Sequence, residues 1–221
     1  MSDQTPAEQW NAAASGWARW AERAGDYIGP ATEKMLDLAG VAPGNRALDV
    51  GCGSGEQTVL VAHRVGATGH VLAIDIAAPM IAATEKTLAV AGLTNVSTRV
   101  CSAEALTDDT LFDTAISRLV LMLIPDPLAA VRAVWTVLRP GGSFAAIVPG
   151  NPERDIFASP RWIFWRVMAA RRYPLTLPAV FVLSSIRIGF PPCSSQRDSS
   201  MSLSVRSPRS VAWTPRRRRP R

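Results

Sequence analysis

The residues most able to do chemistry stand together in Leu48-Asp49-Val50-Gly51-Cys52-Gly53-Ser54-Gly55. A strand-like run carries an acid near its end, and a Gly-x-Gly-x-Gly turn then opens a helical pattern. Glycines suit such a turn because the backbone must bend tightly and let a ligand approach without a Cβ between them. The helix that follows aims its first N–H groups at whatever sits in the turn. A dinucleotide fingerprint needs Gly-x-Gly-x-x-Gly beneath a pyrophosphate. Here the position after Gly55 is Glu56, whose carboxylate would repel a diphosphate. Asp49 suits a ligand that carries a positive group, such as an amino acid's ammonium. Asp75 ends the next strand-like run, 20 residues past Gly55. A carboxylate there can accept from both hydroxyls of a ribose.

Other reactive side chains are sparse. Cys52, Cys101 and Cys193 make an odd number, with no CxxC pair and no zinc-like His/Cys spacing, so neither a metal nor a disulfide framework is expected. Cys52 reads as a small filler of the turn rather than a nucleophile. His63 falls on a helical pattern and His70 opens a strand, so neither is nominated as a base, and no catalytic residue is assigned.

Further strings follow in order: Val71-Leu-Ala-Ile-Asp75, Ile76 to Met80-Ile81, Cys101-Ser-Ala-Glu104-Ala-Leu, Phe112-Asp-Thr-Ala-Ile-Ser117-Arg118 and Leu138-Arg-Pro-Gly-Gly142. Together with the glycine turn, these resemble the class I S-adenosylmethionine-dependent methyltransferases. The likeness is greatest to the C-methyltransferase type of ubiquinone and menaquinone biosynthesis, and it runs from about Trp10 to Val148.

The resemblance implies an α/β fold, Rossmann-like and doubly wound, around a mostly parallel sheet. It also implies S-adenosyl-L-methionine as cofactor and methyl transfer to a small-molecule acceptor. Cofactor contacts then fall to Asp49, Gly51, Cys52, Gly53 and Gly55, to Asp75, Ile76 and Met80, and to Ser102, Ala103, Glu104 and Arg118. Where the family carries an adenine-side Asp, this chain has Ser102, a weaker acceptor than a carboxylate. Trp10, Trp17, Trp20 and Tyr27 precede the sheet, in the region that caps the family's active site. Their faces would either stabilise a sulfonium cation or pack on the core.

The elements that must hold these residues alternate as in a parallel sheet. Strands are predicted over 47–50, 70–75, 96–101, 112–117 and 143–148, with helices over 56–65, 79–91 and 128–138. Two helices, 6–23 and 30–39, precede the sheet. The domain reading is therefore 1–45 N-terminal cap helices, 46–150 cofactor-binding core, 151–172 a lid-like segment and 173–221 an atypical tail, read as disordered. Trp162, Phe164 and Trp165 in the lid-like segment favour a hydrophobic acceptor.

The chain has 221 residues, is 48% hydrophobic and carries a net charge of +6. That length suits one domain with an appendage, and the apolar fraction excludes wholesale disorder. The positive charge is confined to one end. Residues 1–170 hold 13 Lys and Arg against 17 acids, whereas residues 171–221 hold 11 Arg against one acid, Asp198. No nucleic-acid partner is expected of the domain. The competing reading gives Arg216–Arg219 to nucleic acid or an anionic membrane, and a dinucleotide oxidoreductase ranks third. No signal peptide or transmembrane segment is read, since the uncharged run 173–186 is short and holds Pro174 and Pro178. A cytoplasmic protein is expected.

Past Arg172 the pattern changes. Ten serines fall within 184–210, and arginine outnumbers lysine 22 to 2 over the chain, as in a GC-rich gene. The family continues with a helix and two more strands, which this frame lacks. GC-rich codons for Cys193–Ser200, read from each third base, give Leu-Leu-Glu-Ser-Ala-Gly-Phe-Val-Asp, the type of segment the family has there. The expectation is a frameshift between about Gly150 and Ser184, loss of the last two strands, an exposed edge on the fifth and impaired activity. One sequence departure is directly testable. Ser102→Asp is expected to tighten S-adenosylmethionine binding in calorimetry, and an unchanged Kd would refute the assignment of Ser102.

Overall fold

The computed structural model describes residues 4–148 and 183–186. In chain order the elements are α1 (Pro6–Leu38), β1 (Arg46–Val50), α2 (Glu56–Val65), β2 (His70–Asp75), α3 (Ala78–Val90), β3 (Val96–Val100), β4 (Phe112–Arg118), α4 (Pro127–Val137), β5 (Leu138–Ile147) and β6 (Leu183–Ile186). The sheet order is β3-β2-β1-β4-β5-β6. The first five strands are parallel.

The register sets which ends of the strands meet. Leu48 lies between Leu72 of β2 and Ala115 of β4, and Val50 between Ile74 and Ser117. The order reverses at β1, so the loops leaving β1 and β4 diverge to opposite faces and open a crevice at their C-terminal ends. Gly51, Asp75, Cys101 and Arg118 all fall at those ends.

Alternation along the strands builds two cores. Leu48, Val50, Leu72 and Ile74 pack with Phe112, Val134 and Val137 on the α4 side. Ala47, Val71 and Ile116 pack with Leu36, Val61 and Val65 on the α1 and α2 side. Asp49 projects toward this second face, where a carboxylate needs partners.

Three expectations are corrected. The two N-terminal helices are one 33-residue helix, with Pro30 inside it. Proline removes one backbone N–H, but its φ is helical, so the helix runs through rather than restarting there. Pro140-Gly141-Gly142 does not separate α4 from β5. The strand already begins at Leu138, and its register with β4 jumps from Phe112↔Leu138 to Thr114↔Ser143. Three extra residues are thereby looped out inside the strand, with Gly141 at φ 82°. Finally, β5 is not an edge. β6 arises within the stretch read as a disordered tail, and pairs antiparallel with β5 through Phe144↔Ile186 and Ala146↔Leu183. One strand thus covers the edge expected to be open. The remainder of the lid-like segment and tail lies outside the described residues.

No helix among the described residues is long and apolar enough to cross a membrane.

Candidate active site

The loop after β1 is built by hydrogen bonds on every side. Gly51 and Cys52 both donate their N–H to Ile74 O, at 2.8 and 3.0 Å. Thr84 Oγ1 of α3 donates to Gly53 O and Thr87 Oγ1 to Ser54 O, each at 2.8 Å. Gly51 and Gly53 adopt φ of 72° and 60°, a region costly for side-chain-bearing residues. A Cβ on Gly51 would stand 2.3 Å from Val120 Cγ2, and one on Gly53 would stand 3.1 Å from Trp17 Nε1. The absence of a Cβ at both positions therefore lets Val120 and Trp17 close down on the loop.

Asp75 ties this loop to the next. Its Oδ2 accepts from Gly53 N at 3.0 Å and its Oδ1 from Ala77 N at 2.9 Å. Burial raises its pKa despite these donors. Each oxygen keeps further accepting capacity, and Asp75 lines the cleft.

The cleft is open to solvent, and about 720 Å³ of non-atom space, solvent included, lies between its walls. Nine predicted residues line it: Gly51, Gly53, Asp75, Ile76, Met80, Ser102, Ala103, Glu104 and Arg118. Ser102 Oγ caps the short 3-10 turn Ala103–Ala105, accepting from Glu104 N and donating to Glu104 Oε2. Glu104 Oε1 accepts from Asp126 N at 3.0 Å, so the loop after β3 is joined to the start of α4.

Arg118 Nη1 donates to Thr32 Oγ1 at 3.1 Å. Burial lowers the guanidinium's pKa, opposed by the charges of Asp49 and Glu56. The next residue, Leu119, has φ 61° and starts an apolar wall of Leu119, Val120, Leu123, Ile124 and Pro125. No motif runs through this wall, so it was not legible in the sequence. Trp10 and Trp17 of α1 also line the cleft, edge to face with centroids 6.1 Å apart. The side chains of Trp20 and Tyr27 lie outside the described residues.

A smaller cavity adjoins the first. Trp17, Gly51, Gly53, Arg118 and Leu119 border both, and Ile28, Cys52, Glu56 and Gln57 complete the inner one. Cys52 Sγ lies 3.4 Å from Thr84 Oγ1, and burial drives the thiol's pKa up, so it is an unreactive filler.

Two predicted contacts are placed otherwise. Gly55 does not line either cavity; its Cβ position lies 3.1 Å from Thr84 Cα, so it serves the close approach of α3. Asp49 is fully buried and likewise lines neither cavity. Gln57 Nε2 donates to its Oδ1 and Thr58 Oγ1 donates to its Oδ2. Asp49 is therefore separated from both cavities by the first turn of α2. Gln57 was missed, although it shares a helix face with the apolar Val61 and Val65.

Burial raises the Asp49 pKa to about 6, against the Thr58 and Gln57 donors. A carboxyl with a raised folded-state pKa binds its proton more tightly folded than unfolded. Its contribution is greatest at low pH and is lost as pH rises from the unfolded value, about 4, through the folded one. The loss amounts to about 2–3 kcal/mol by linkage. Urea unfolding of Asp49→Asn is expected to show a shallower fall in stability than wild type across this range. Asp75, shifted in the same sense, keeps the slope from vanishing. Identical slopes would contradict the assignment.

Comparison with known proteins agrees with this geometry. A methyltransferase-domain family model matches residues 42–157. The nocamycin O-methyltransferase of Saccharothrix syringae is 36% identical over 128 residues, which are 58% of this chain and 46% of that protein. The demethylmenaquinone methyltransferase of Shouchella clausii is 32% identical over 127 residues, 57% of this chain and 53% of its own. The chain thus spans about half the length of these curated relatives. An S-adenosylmethionine-dependent methyltransferase from Aquifex aeolicus shares the fold, with a TM-score of 0.53 at 24% identity, covering 63% of this chain and 77% of that one. The glycine loop beneath β1, the acid closing β2 and the family match over the same residues lead to one conclusion: the chain belongs to the methyltransferase-domain family, of the class I S-adenosylmethionine-dependent type.

Proposed function

We propose that this chain transfers a methyl group from S-adenosylmethionine to a small, largely hydrophobic acceptor. The observation that carries the reading is the layout of the cleft. Asp75, Ser102 and Glu104 supply acceptors on one side, Arg118 supplies a cation on the other, and an apolar wall runs beside them. Asp75 would take the ribose hydroxyls, and the loop after β3 would take the adenine. Arg118 would pair with a carboxylate, an attraction that its partly buried position strengthens by excluding water.

The residues present fit the cofactor. Gly51 and Gly53 border both cavities with backbone alone, and Glu56 beside the inner cavity suits an ammonium rather than a diphosphate. When bound, the cofactor supplies an activated methyl on a sulfonium, so the chain has to orient the two reactants and exclude water. Trp17 borders both cavities and contributes to that exclusion. The acceptor's hydrophobic class is supported by Leu119, Val120, Leu123 and Ile124. Among the cleft-lining residues no group is assigned as a base. Calorimetry is expected to show binding of S-adenosylmethionine and none of NAD. Asp75→Ala should weaken S-adenosylmethionine by about tenfold or more, through loss of charge-assisted hydrogen bonds. Binding of NAD alone would overturn the reading.

We also propose that the reading frame changes after the family match. That match stops at residue 157, and the arginine- and serine-rich composition follows it. The pairing of β6 with β5 covers the sheet edge whichever frame encoded it. Sequencing the 3′ half of the gene should reveal an alternative frame encoding the Leu-Leu-Glu-Ser-Ala-Gly-Phe segment. An early stop in that frame would refute the proposal.

A further inference from the structure

Gln57 is buried at 2% exposure, yet its two polar atoms are used unequally. Nε2 donates to Asp49 Oδ1, while Oε1 has no hydrogen-bond partner among the described residues. The amide is not free to turn round. An ionised carboxylate only accepts, so the nitrogen must face Asp49 and the oxygen must face away. Unpaired acceptors of this kind are rare in native interiors and call for an explanation.

The place of the residue supplies one. Gln57 lines the inner cavity, which continues the main cleft past Trp17 and Arg118. Glu56 stands beside it in the same cavity, held by Ser54 Oγ at 3.0 Å. On the α2 side the cavity is bordered by the Glu56 side chain and by Gln57, with Asp49 behind Gln57. Arg118 presents a donor and positive charge. A group that carries an ammonium and a carboxylate on one carbon is complementary to that pair.

We propose that Gln57 Oε1 accepts a hydrogen bond from the α-ammonium of the cofactor's amino-acid moiety, with Asp49 as the positioning residue that aims it. This rests on the reading that the cleft holds S-adenosylmethionine. It assigns the glycine motif's acid a role at one remove. Asp49 does not touch the ligand; it locks the amide, and Thr58 locks Asp49.

Two ligands isolate the contact: S-adenosylhomocysteine, and the analogue in which hydrogen replaces its α-amino group. Wild type is expected to prefer the first by about tenfold or more, the worth of a hydrogen bond to a charged group. Gln57→Met removes the acceptor. Gln57→Lys also removes it but keeps a donor toward Asp49, so it serves if the first variant folds poorly. In both, calorimetry should show the preference collapse while the analogue's Kd stays near its wild-type value. If the preference survives in the variants, or both ligands weaken equally, Gln57 is only structural and the proposal falls. If wild type binds neither ligand, the cofactor reading itself falls.

Discussion

The arrangement of this site depends on a carboxylate with no access to water. Asp49 faces α2 from β1, and transferring such a group to the interior costs several kcal/mol unless donors meet it. Gln57 and Thr58 meet it, and both belong to the first turn of α2. The start of α2 is thereby held against the end of β1, and five residues must bridge the gap. Only a loop with left-handed positions turns that sharply, hence the φ of 72° at Gly51 and 60° at Gly53. The chain of contacts then runs outward. Gly53 N reaches Asp75, Asp75 reaches Ala77, and α3 returns two hydroxyls to the loop. The acid at the end of β2 is held where a ribose would meet it because Asp49 is held first.

The long first helix closes the arrangement from the other side, and its two parts differ. After Pro30 it is fastened to the domain. Leu36 is fully buried, Arg64 pairs with Glu33 and Asp37, and Thr114 Oγ1 donates to Ala39 O just past its end. Before Pro30, Ala14, Trp10 and Trp17 pack on Ala77 and Met80 beside the cleft. Trp17 thus packs on the core and also borders the cleft. Its Nε1 stands over Gly53, and its ring borders both cavities.

Much of this was legible in the sequence because the strands and glycine turns obey strong local rules. The β2 and α2 bounds were read to the residue, since alternation and the Gly55 and Gly66 boundaries are local signals. The strand ends then placed Asp75, Ser102 and Arg118 together, because parallel strands bring their C-terminal ends to one rim. What escaped reading was tertiary. Pro30 looks like a helix start, but the packing on either side outweighs one lost hydrogen bond. Asp49 looks like a ligand contact, because a motif names a residue without saying which face of the strand it takes. The polar pair Gln57 and Thr58 on the same helix face as Val61 and Val65 was the available clue. Polar residues on an apolar stripe announce a buried partner, and Asp49 is the fully buried polar residue of β1.

The apolar side of the cleft follows from backbone more than from side-chain choice. Leu119 is the one described non-glycine residue at positive φ, a conformation that costs about 1–2 kcal/mol. It persists because the surroundings hold it. Its N–H donates to Ile147 O at 2.8 Å, extending the β4–β5 ladder, and Leu121 two residues on is buried in the core. The consequence is a sharp turn at the end of β4. Val120 is thrown against Gly51, and Leu123 and Ile124 are laid along the cleft. A glycine at 119 would relieve the strain but leave the turn less defined, since it would also restore freedom to the unfolded chain. The wall is therefore tied to the same strand end that carries Arg118. Whatever orients the charged end of a ligand also fixes the distance to the apolar surface an acceptor would meet.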